Sequence, residues 1–400
     1  MKLLDLENLK VSELEGQFDL SLKEHIELRQ KAFTRFKELG LPLNKDEIFG
    51  KTGLRATYNG DYLKELSANS NWQIQENPNY KIVFRKGVYS PMHSSLPDGV
   101  KVQFEAEPHL YLDHKNPFYF LSYALNRGFY KIEIKRDLEL DKPLEIIHTD
   151  EVHASQNHTH LSLHVKANAK VQILERVLVN SACFFNQTLA VYLDENAKIE
   201  HMHEQASHDF AHIISNYLYF QKKSSQASVY AYEHGSSLGI SFWDLRLDEE
   251  SAKLDFLALQ TPTQKQHLST IVELHHNGPN THSTQLIKQT INDEAKGIVD
   301  AKVIVSKNGA GTKSHQLCNS LVLSEKAQVQ SFVKPQLEIF IDDLEASHGA
   351  TVGNLDEEQI YYLMSRGVDY ESARKLLIEA FSQEVYKQFP KWAKEFISGG

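Results

Sequence analysis

The amino-acid sequence predicts a mainly β protein whose middle coils into a parallel β-helix, or β-solenoid, flanked by helical regions at both ends. Three observations carry this. From about residue 128, short runs alternate apolar with polar residues, among them 131–135, 159–165 and 171–175. Successive side chains of a strand point to opposite faces, so a period of two marks half-buried strands. A unit also recurs in which a small turn residue precedes a strand: Asn168-Ala169-Lys170-Val171, Asn196-Ala197-Lys198-Ile199, Gln226-Ala227-Ser228-Val229, Ser251-Ala252-Lys253-Leu254 and Lys326-Ala327-Gln328-Val329. Alanines 169, 197, 227 and 252 stand 28, 30 and 25 positions apart, a repeat length that means stacked units. Finally, Asn-Gly hairpin signals are scarce, which disfavours the competing β-sandwich or jelly roll. The inward positions of the rungs are expected to be mostly Ala, Val, Ile and Leu.

Three regions follow. Residues 1–120 read as a mixed helical region, in which 21–39 form an amphipathic helix with Ile26, Ala32, Phe33, Phe36 and Leu39 on one face. Gly40 and Pro42 stop it, and residues 45–120 read as irregular α+β. Residues 121–345 are the β-helix core. Residues 346–400 are helical: Asp356 caps a first helix with Gln359 completing a capping box, and Gly367 supplies a left-handed stop. Asp369 caps a second helix whose Ala373, Leu376, Leu377, Ala380 and Phe381 form an apolar stripe expected to lie mostly in the core.

Composition narrows the function. The 43 basic and 53 acidic residues give a net charge of −10, which argues against nucleic acid or an anionic membrane as partner. The two cysteines, Cys183 and Cys318, lie far apart with no CxxC pair; isolated thiols suit a reducing cytoplasm. The N-terminal residues carry charge too early for a signal-peptide core, and no run approaches the roughly 18 apolar residues of a membrane span. A cytoplasmic location is expected.

The local motifs divide into bland and chemical readings. Gly309-Ala310-Gly311-Thr312-Lys313-Ser314 departs from a phosphate-binding loop because Thr312 replaces its second glycine, and reads as an inter-strand turn. In His201-Met202-His203 and His208 the spacing misses the i, i+4 pair of a zincin, and a solvated strand edge is expected. The run His153, His158, His160 and His164 reads as the wet face of a strand, and His275-His276 as a loop pair. No Ser–His–Asp, Cys–His or paired-carboxylate arrangement stands out. In residues 337–353 an apolar strand leads into Asp342-Asp343 and then Ser347-His348-Gly349-Ala350-Thr351-Val352-Gly353. The small residues there permit close approach of a backbone or ligand, and His348 reads either as a turn histidine or as a ligand.

This last segment resembles the C-terminal signature of the SufB/SufD family of iron–sulfur cluster assembly proteins. The matching residues are Pro335 to Ile339, Asp342-Asp343, Ser347 to Gly353 and Tyr361 to Gly367. The Ser347-His348-Gly349 form points to the SufD branch, because SufB carries a His–Glu pair there. The resemblance implies a right-handed parallel β-helix and a non-catalytic scaffold role. It implies pairing with SufB along the β-helix, and docking of the ATPase SufC through the C-terminal helices, with Tyr361, Tyr362, Arg366 and Gly367 as SufC-facing candidates. A homodimer is the assembly it allows for the isolated chain. The position of His348 implies a ligand to a transient iron–sulfur cluster shared with SufB, with no cluster held stably alone. Two departures stand beside this. Many SufD sequences carry a cysteine where this chain has Ala346. Cys318 lies near the place of SufB's interface cysteine, and reads as a second ligand or as a buried strand thiol. The rival from another class is a carbohydrate-active β-helix enzyme of the pectate-lyase type.

Overall fold

A computed structural model describes residues 14, 25–42, 49–52, 54, 77–150, 155–179, 183–207, 210–324, 326 and 328–397. Helix α1 (Ile26–Leu39) precedes β1 (Tyr80–Arg85), β2 (Val88–Tyr89), β3 (Val100–Phe104) and α2 (Pro117–Leu125). The coiled part follows: β4 (Phe129–Ile134), β5 (Leu144–Asp150), β6 (Ser155–Val165), β7 (Lys170–Val179), β8 (Cys183–Leu193), β9 (Lys198–Ser207), β10 (His212–Gln221), β11 (Gln226–Gly235), β12 (Leu238–Leu247), β13 (Lys253–Gln260), β14 (His267–His276), β15 (His282–Ile291), β16 (Lys296–Val305), β17 (Thr312–Val322), β18 (Gln330–Ile339) and β19 (Leu344–Asn354). Helices α3 (Glu357–Ser365), α4 (Tyr370–Tyr386) and α5 (Lys391–Ile397) close the chain. The last rung therefore runs past residue 345 before the helices begin.

From β4 onward, odd strands stack in one sheet and even strands in the other, every pair parallel. This is the expected β-solenoid, of about seven turns. Its stacking force is visible in one column of the even sheet, where Ile132, Leu163, Val191, Tyr219, Leu245, Leu274 and Val303 lie in register and are all buried. Each such aliphatic side chain withdrawn from water stabilises the coil by about 1.5–3 kcal/mol. The corners repeat as strictly. Asp137, Asn168, Asn196, Ser224 and Ser251 all take φ near +60°, a left-handed conformation that Asn and Asp tolerate best among residues with a Cβ. Asn168 and Asn196 join their side chains to the rung below, Asn168 Nδ2 to Asp137 Oδ1 at 2.7 Å and Asn196 Nδ2 to Asn168 Oδ1 at 3.2 Å.

That corner corrects the expected repeat. Ala169, Ala197 and Ala252 each follow the left-handed residue and are fully buried, but in the third unit this place belongs to Ser225, not Ala227. Ala227 pairs with Ile199 as an ordinary inward strand residue. What the corner requires is a small side chain, and Ser225 meets that as well as alanine. Ala327 of the fifth unit lies outside the described residues.

Both sheets are also covered on part of their outer faces, and this overturns the wet-face reading of β6. Asn116 starts α2, its side chain accepting from the Phe118 N–H at 2.9 Å, with Pro117 at the first helical position. The helix is buried almost all round, packed between α1 and the even sheet. His158 and His160 point outward from β6 as expected, but under this cover they are buried, not wet; His160 lies among the rings of Tyr119, Tyr123 and Phe129. Only His164 is half-buried, and His153 lies outside the described residues. His275 and His276 end β14 instead of sitting in a loop, and His276 is buried between Thr281 (2.7 Å) and Ser283 (2.9 Å). Glycines 309 and 311 do form a turn before β17.

The helical ends match the expected caps. Phe33, Phe36 and Ala32 of α1 are buried, although Leu39 is exposed. Asp356 accepts from the N–H groups of Glu358 and Gln359, Gly367 takes φ 90°, and Asp369 accepts from Ser372 N–H. The apolar stripe of α4 is a correction: Leu376 and Ala380 are exposed and Leu377 and Phe381 half-buried, while Ala373 and Val385 are the buried residues. The helix lies across the odd sheet by its ends, so the middle of the stripe stays open.

Candidate functional site

The terminal rung is an open mouth. Strands β18 and β19 end the even and odd sheets, and among the described residues neither pairs with a further strand. Their outer edges leave main-chain donors and acceptors available to another strand. Pro335, which lacks an N–H, is tolerated in β18 because that strand is an edge. Apolar side chains stand exposed beside this edge: Ile339, Phe340 and Val352.

His348 sits in β19 in register with Gln316 of β17. It shares its face with Leu344, which packs against the solenoid core, so it belongs to the inward file. Because no rung covers it, the imidazole is exposed. Ser347 points to the opposite face, where its hydroxyl meets His315 Nδ1 at 2.9 Å. His315, Ser347, His348 and Gly349 line one end of a groove of about 710 Å³ that reaches Asp255 and Glu384. A Cβ on Gly349 would touch only Leu317, at 3.3 Å, and one on Gly353 would touch nothing within 4 Å. Cys318 is one rung below, in register with Ala350 and fully buried; burial, then the nearby Asp300, pushes its thiol up to about 12.

A second constellation lies deep inside, and it reverses the expected character of His201 and His203. Both are fully buried in the inward file of β9, not at a solvated edge. Glu175 of β7 faces them: His148 Nε2 is 3.3 Å from Oε1, and His201 Nε2 and His203 Nδ1 are 3.3 and 3.4 Å from Oε2. Tyr217 donates to Glu175 Oε2 at 2.7 Å, and its hydroxyl is 2.7 Å from His203 Nδ1. Burial alone would raise the Glu175 carboxyl, but the three histidines overcome this and hold it well below the usual carboxylate range. Among the described residues no three His, Cys, Asp or Glu side chains converge as a metal-ion site. His208 lies outside the described residues.

At the C-terminal end, Tyr361 and Tyr362 are exposed at 74% and 59%. The Arg366 guanidinium lies 5.3 Å from the Tyr362 ring. Gly367 follows with open space where a Cβ would be. These residues form one accessible surface on α3 and its turn, separate from the mouth.

Comparison with known proteins decides the family. Residues 146–381 match the family model for the SUF system FeS cluster assembly SufBD core domain, more than half of the chain. The chain belongs to the SufBD family. It is 28% identical over 379 residues to the iron–sulfur cluster assembly protein SufD of Escherichia coli, covering 89% of this chain and 87% of that protein. It is also 28% identical over 396 residues to a SufBD family iron–sulfur cluster assembly protein of Synechocystis, covering 90% and 87%. Membership of the SufBD family places the chain in iron–sulfur cluster assembly and sets aside the carbohydrate-active alternative. The SufBD core match runs from β5 into α4, and so includes His348, Cys318 and the Tyr361–Gly367 surface. Sequence reasoning missed Glu175, His148 and Tyr217 altogether. Only the register signals them, since Glu175 and His203 are 28 positions apart and pair directly.

Proposed function

We propose that this SufBD protein is a non-catalytic scaffold subunit of a SufB–SufC–SufD complex, pairing with SufB at its open solenoid mouth. The observation that carries the reading is His348: an exposed imidazole in the inward file of a terminal rung whose strand edges have no neighbour among the described residues. An uncovered solenoid end invites completion by a like solenoid, and an imidazole at that seam suits an iron ligand. The cluster is cargo, held transiently between this chain and SufB, with the rest of the ligand set coming from the partner. Cys318 is the weaker second ligand, since burial keeps its thiol protonated. SufC docks on the exposed Tyr361, Tyr362 and Arg366 beside Gly367, and its ATP cycle works on the paired solenoids. The chain alone performs no turnover and acts in the cytoplasm.

The test is His348→Ala in the reconstituted complex. Cluster delivery is expected to fall while SufB still co-purifies; unchanged delivery sinks the ligand role. Truncation after residue 355 should abolish co-purification of SufC, and undiminished binding refutes that docking surface.

A further inference from the structure

A short amide ladder lies directly beneath His348. Gln285, Gln316 and His348 are in register on β15, β17 and β19, and both glutamines are buried. Neighbouring strands lie about 4.8 Å apart, a step that one side-chain hydrogen bond per rung spans. Gln316 Nε2 donates to Gln285 Oε1 at 3.3 Å and to the Ala301 carbonyl, across the core on β16, at 3.1 Å. Both amide hydrogens of Gln316 are thereby used. Both acceptors are carbonyl oxygens, which fixes the end of the amide that is nitrogen.

A ladder of stacked amides has a direction. With the Gln316 nitrogen turned down to Gln285, its oxygen turns up to the next rung. The atoms left over are the two ends, Gln285 Nε2 below and Gln316 Oε1 above, both buried without a hydrogen-bond partner among the described residues. The rung above Gln316 is the terminal one, and the residue that stands there is His348. Around it the inward side chains Val333, Pro335, Ala346 and Ala350 hold no donor. The Ser331 hydroxyl is engaged with Ser320 and Gln289, and that of Ser314 with Ser283. Cys318 stands about 7 Å along β17, and a thiol is a weak donor. The donor one rung from Gln316 Oε1 is the imidazole N–H.

We propose that Gln316 is a positioning residue for His348, its upward oxygen accepting one ring N–H of the terminal imidazole. A turn about the His348 side-chain torsions, with no backbone movement, brings the exposed ring onto this acceptor. A buried carbonyl left without a donor bears its full desolvation penalty, so the contact is favoured. Its Ala301 and Gln285 bonds hold the Gln316 amide still while the ring settles. A hydrogen bond from one ring nitrogen decides which nitrogen carries the proton and leaves the other bare toward the mouth. A bare, aimed nitrogen is what iron requires of an imidazole. The inference rests on the reading of His348 as a ligand and names the residue that aims it.

The test is a proton–nitrogen correlation spectrum of the full chain labelled at histidine, at mildly alkaline pH, with His348 assigned by its loss in His348→Ala. One His348 ring N–H should exchange with water at least about tenfold more slowly than in Gln316→Leu. Gln316→Glu, which keeps an acceptor, should restore the protection. Equal exchange in the parent and Gln316→Leu overturns the contact. In the reconstituted complex, Gln316→Leu should lower cluster delivery about tenfold while SufB still co-purifies, and delivery equal to the parent overturns the positioning role. The spectrum needs no cluster, so a protected N–H beside normal delivery by His348→Ala sinks the ligand reading and leaves the contact standing. Should Gln316→Leu fail to fold, a high-resolution crystal structure of the unaltered chain decides. A His348 ring nitrogen within about 3.2 Å of Gln316 Oε1 supports the contact, and a separation beyond about 3.5 Å overturns it.

Discussion

Tyr217 and Trp243 stack inside the solenoid in adjoining rungs of one column, ring centroids 3.8 Å apart and planes 15° from parallel. Phe256 of the opposite sheet meets the indole edge-on at 5.1 Å. Trp243→Ala should therefore lower unfolding stability by about 3–5 kcal/mol, with Trp243→Phe costing less. Equal stability of Trp243→Ala and the parent in urea would show that the stack is dispensable.

The buried histidines set an acid limit. Burial pushes His158, His160 and His276 down to about 3, so the folded chain binds fewer protons there than the unfolded chain. Their contribution is fully present above the ordinary histidine pKa of about 6.5 and declines as pH falls toward 3. Each imidazole loses about 1.4 kcal/mol per pH unit in that window. Denaturant midpoints measured at mildly alkaline and mildly acid pH should diverge, and the divergence should shrink in His158→Asn. An unchanged slope in that variant contradicts the assignment.

Both cysteines are buried. A thiol reagent at neutral pH should leave them unmodified in the folded chain and label both in guanidinium, because the thiolate is the reacting form. Rapid native labelling of Cys318 would instead mean that the terminal rung opens on its own.

Two glycines separate folding from partnership. A Cβ on Gly278 would strike the Glu249 backbone at 2.4 to 2.8 Å, so Gly278→Ala should destabilise the isolated chain by at least about 2 kcal/mol. Gly353 has open space, and Gly353→Ala should change stability by less than about 0.5 kcal/mol. If the mouth is where SufB pairs, a bulkier Gly353→Trp should weaken SufB co-purification while leaving the melting temperature alone. Undisturbed co-purification argues for a different seam.

The C-terminal helices are fastened by Lys288, a buried amine on the outer face of β15. It pairs with Glu384, donates to the Phe381 carbonyl at 3.0 Å and sits 4.2 Å from the Phe381 ring. Lys288→Met removes that fastening, and limited proteolysis between residues 366 and 390 should speed up several-fold while the solenoid stays resistant.

Strands, corners and caps were legible in the sequence because each is a local matter. Period two, a small residue after a left-handed Asn or Ser, and Asp356 or Asp369 before a helix are decided within a few residues. What covers a face is not local. His158 and His160 alternate as a wet face would, and only α2, some 40 positions earlier, makes them dry. His201 and His203 were misread for a related reason. Their file faces inward, but the acid they meet lies a whole rung away at Glu175, so no short window holds both. Ser225 shows the converse, since the corner selects a small side chain and not the letter Ala. The mouth was legible through the Ser347–Gly353 signature, while Cys318's depth depended on register.

Each coil adds about 4.8 Å of height, so the solenoid is a ruler graduated in whole steps. Inserting one complete unit, such as the 28 residues that separate Glu175 from His203, would lift His348 away from the N-terminal helices by a single graduation and preserve the columns. The units themselves differ in length, Ala258 pairing with Ile287 29 positions on and Ile287 with Cys318 31 positions on, because the loops between strands absorb the difference; what is fixed is the whole rung. The reach of this subunit is thus quantised in whole rungs.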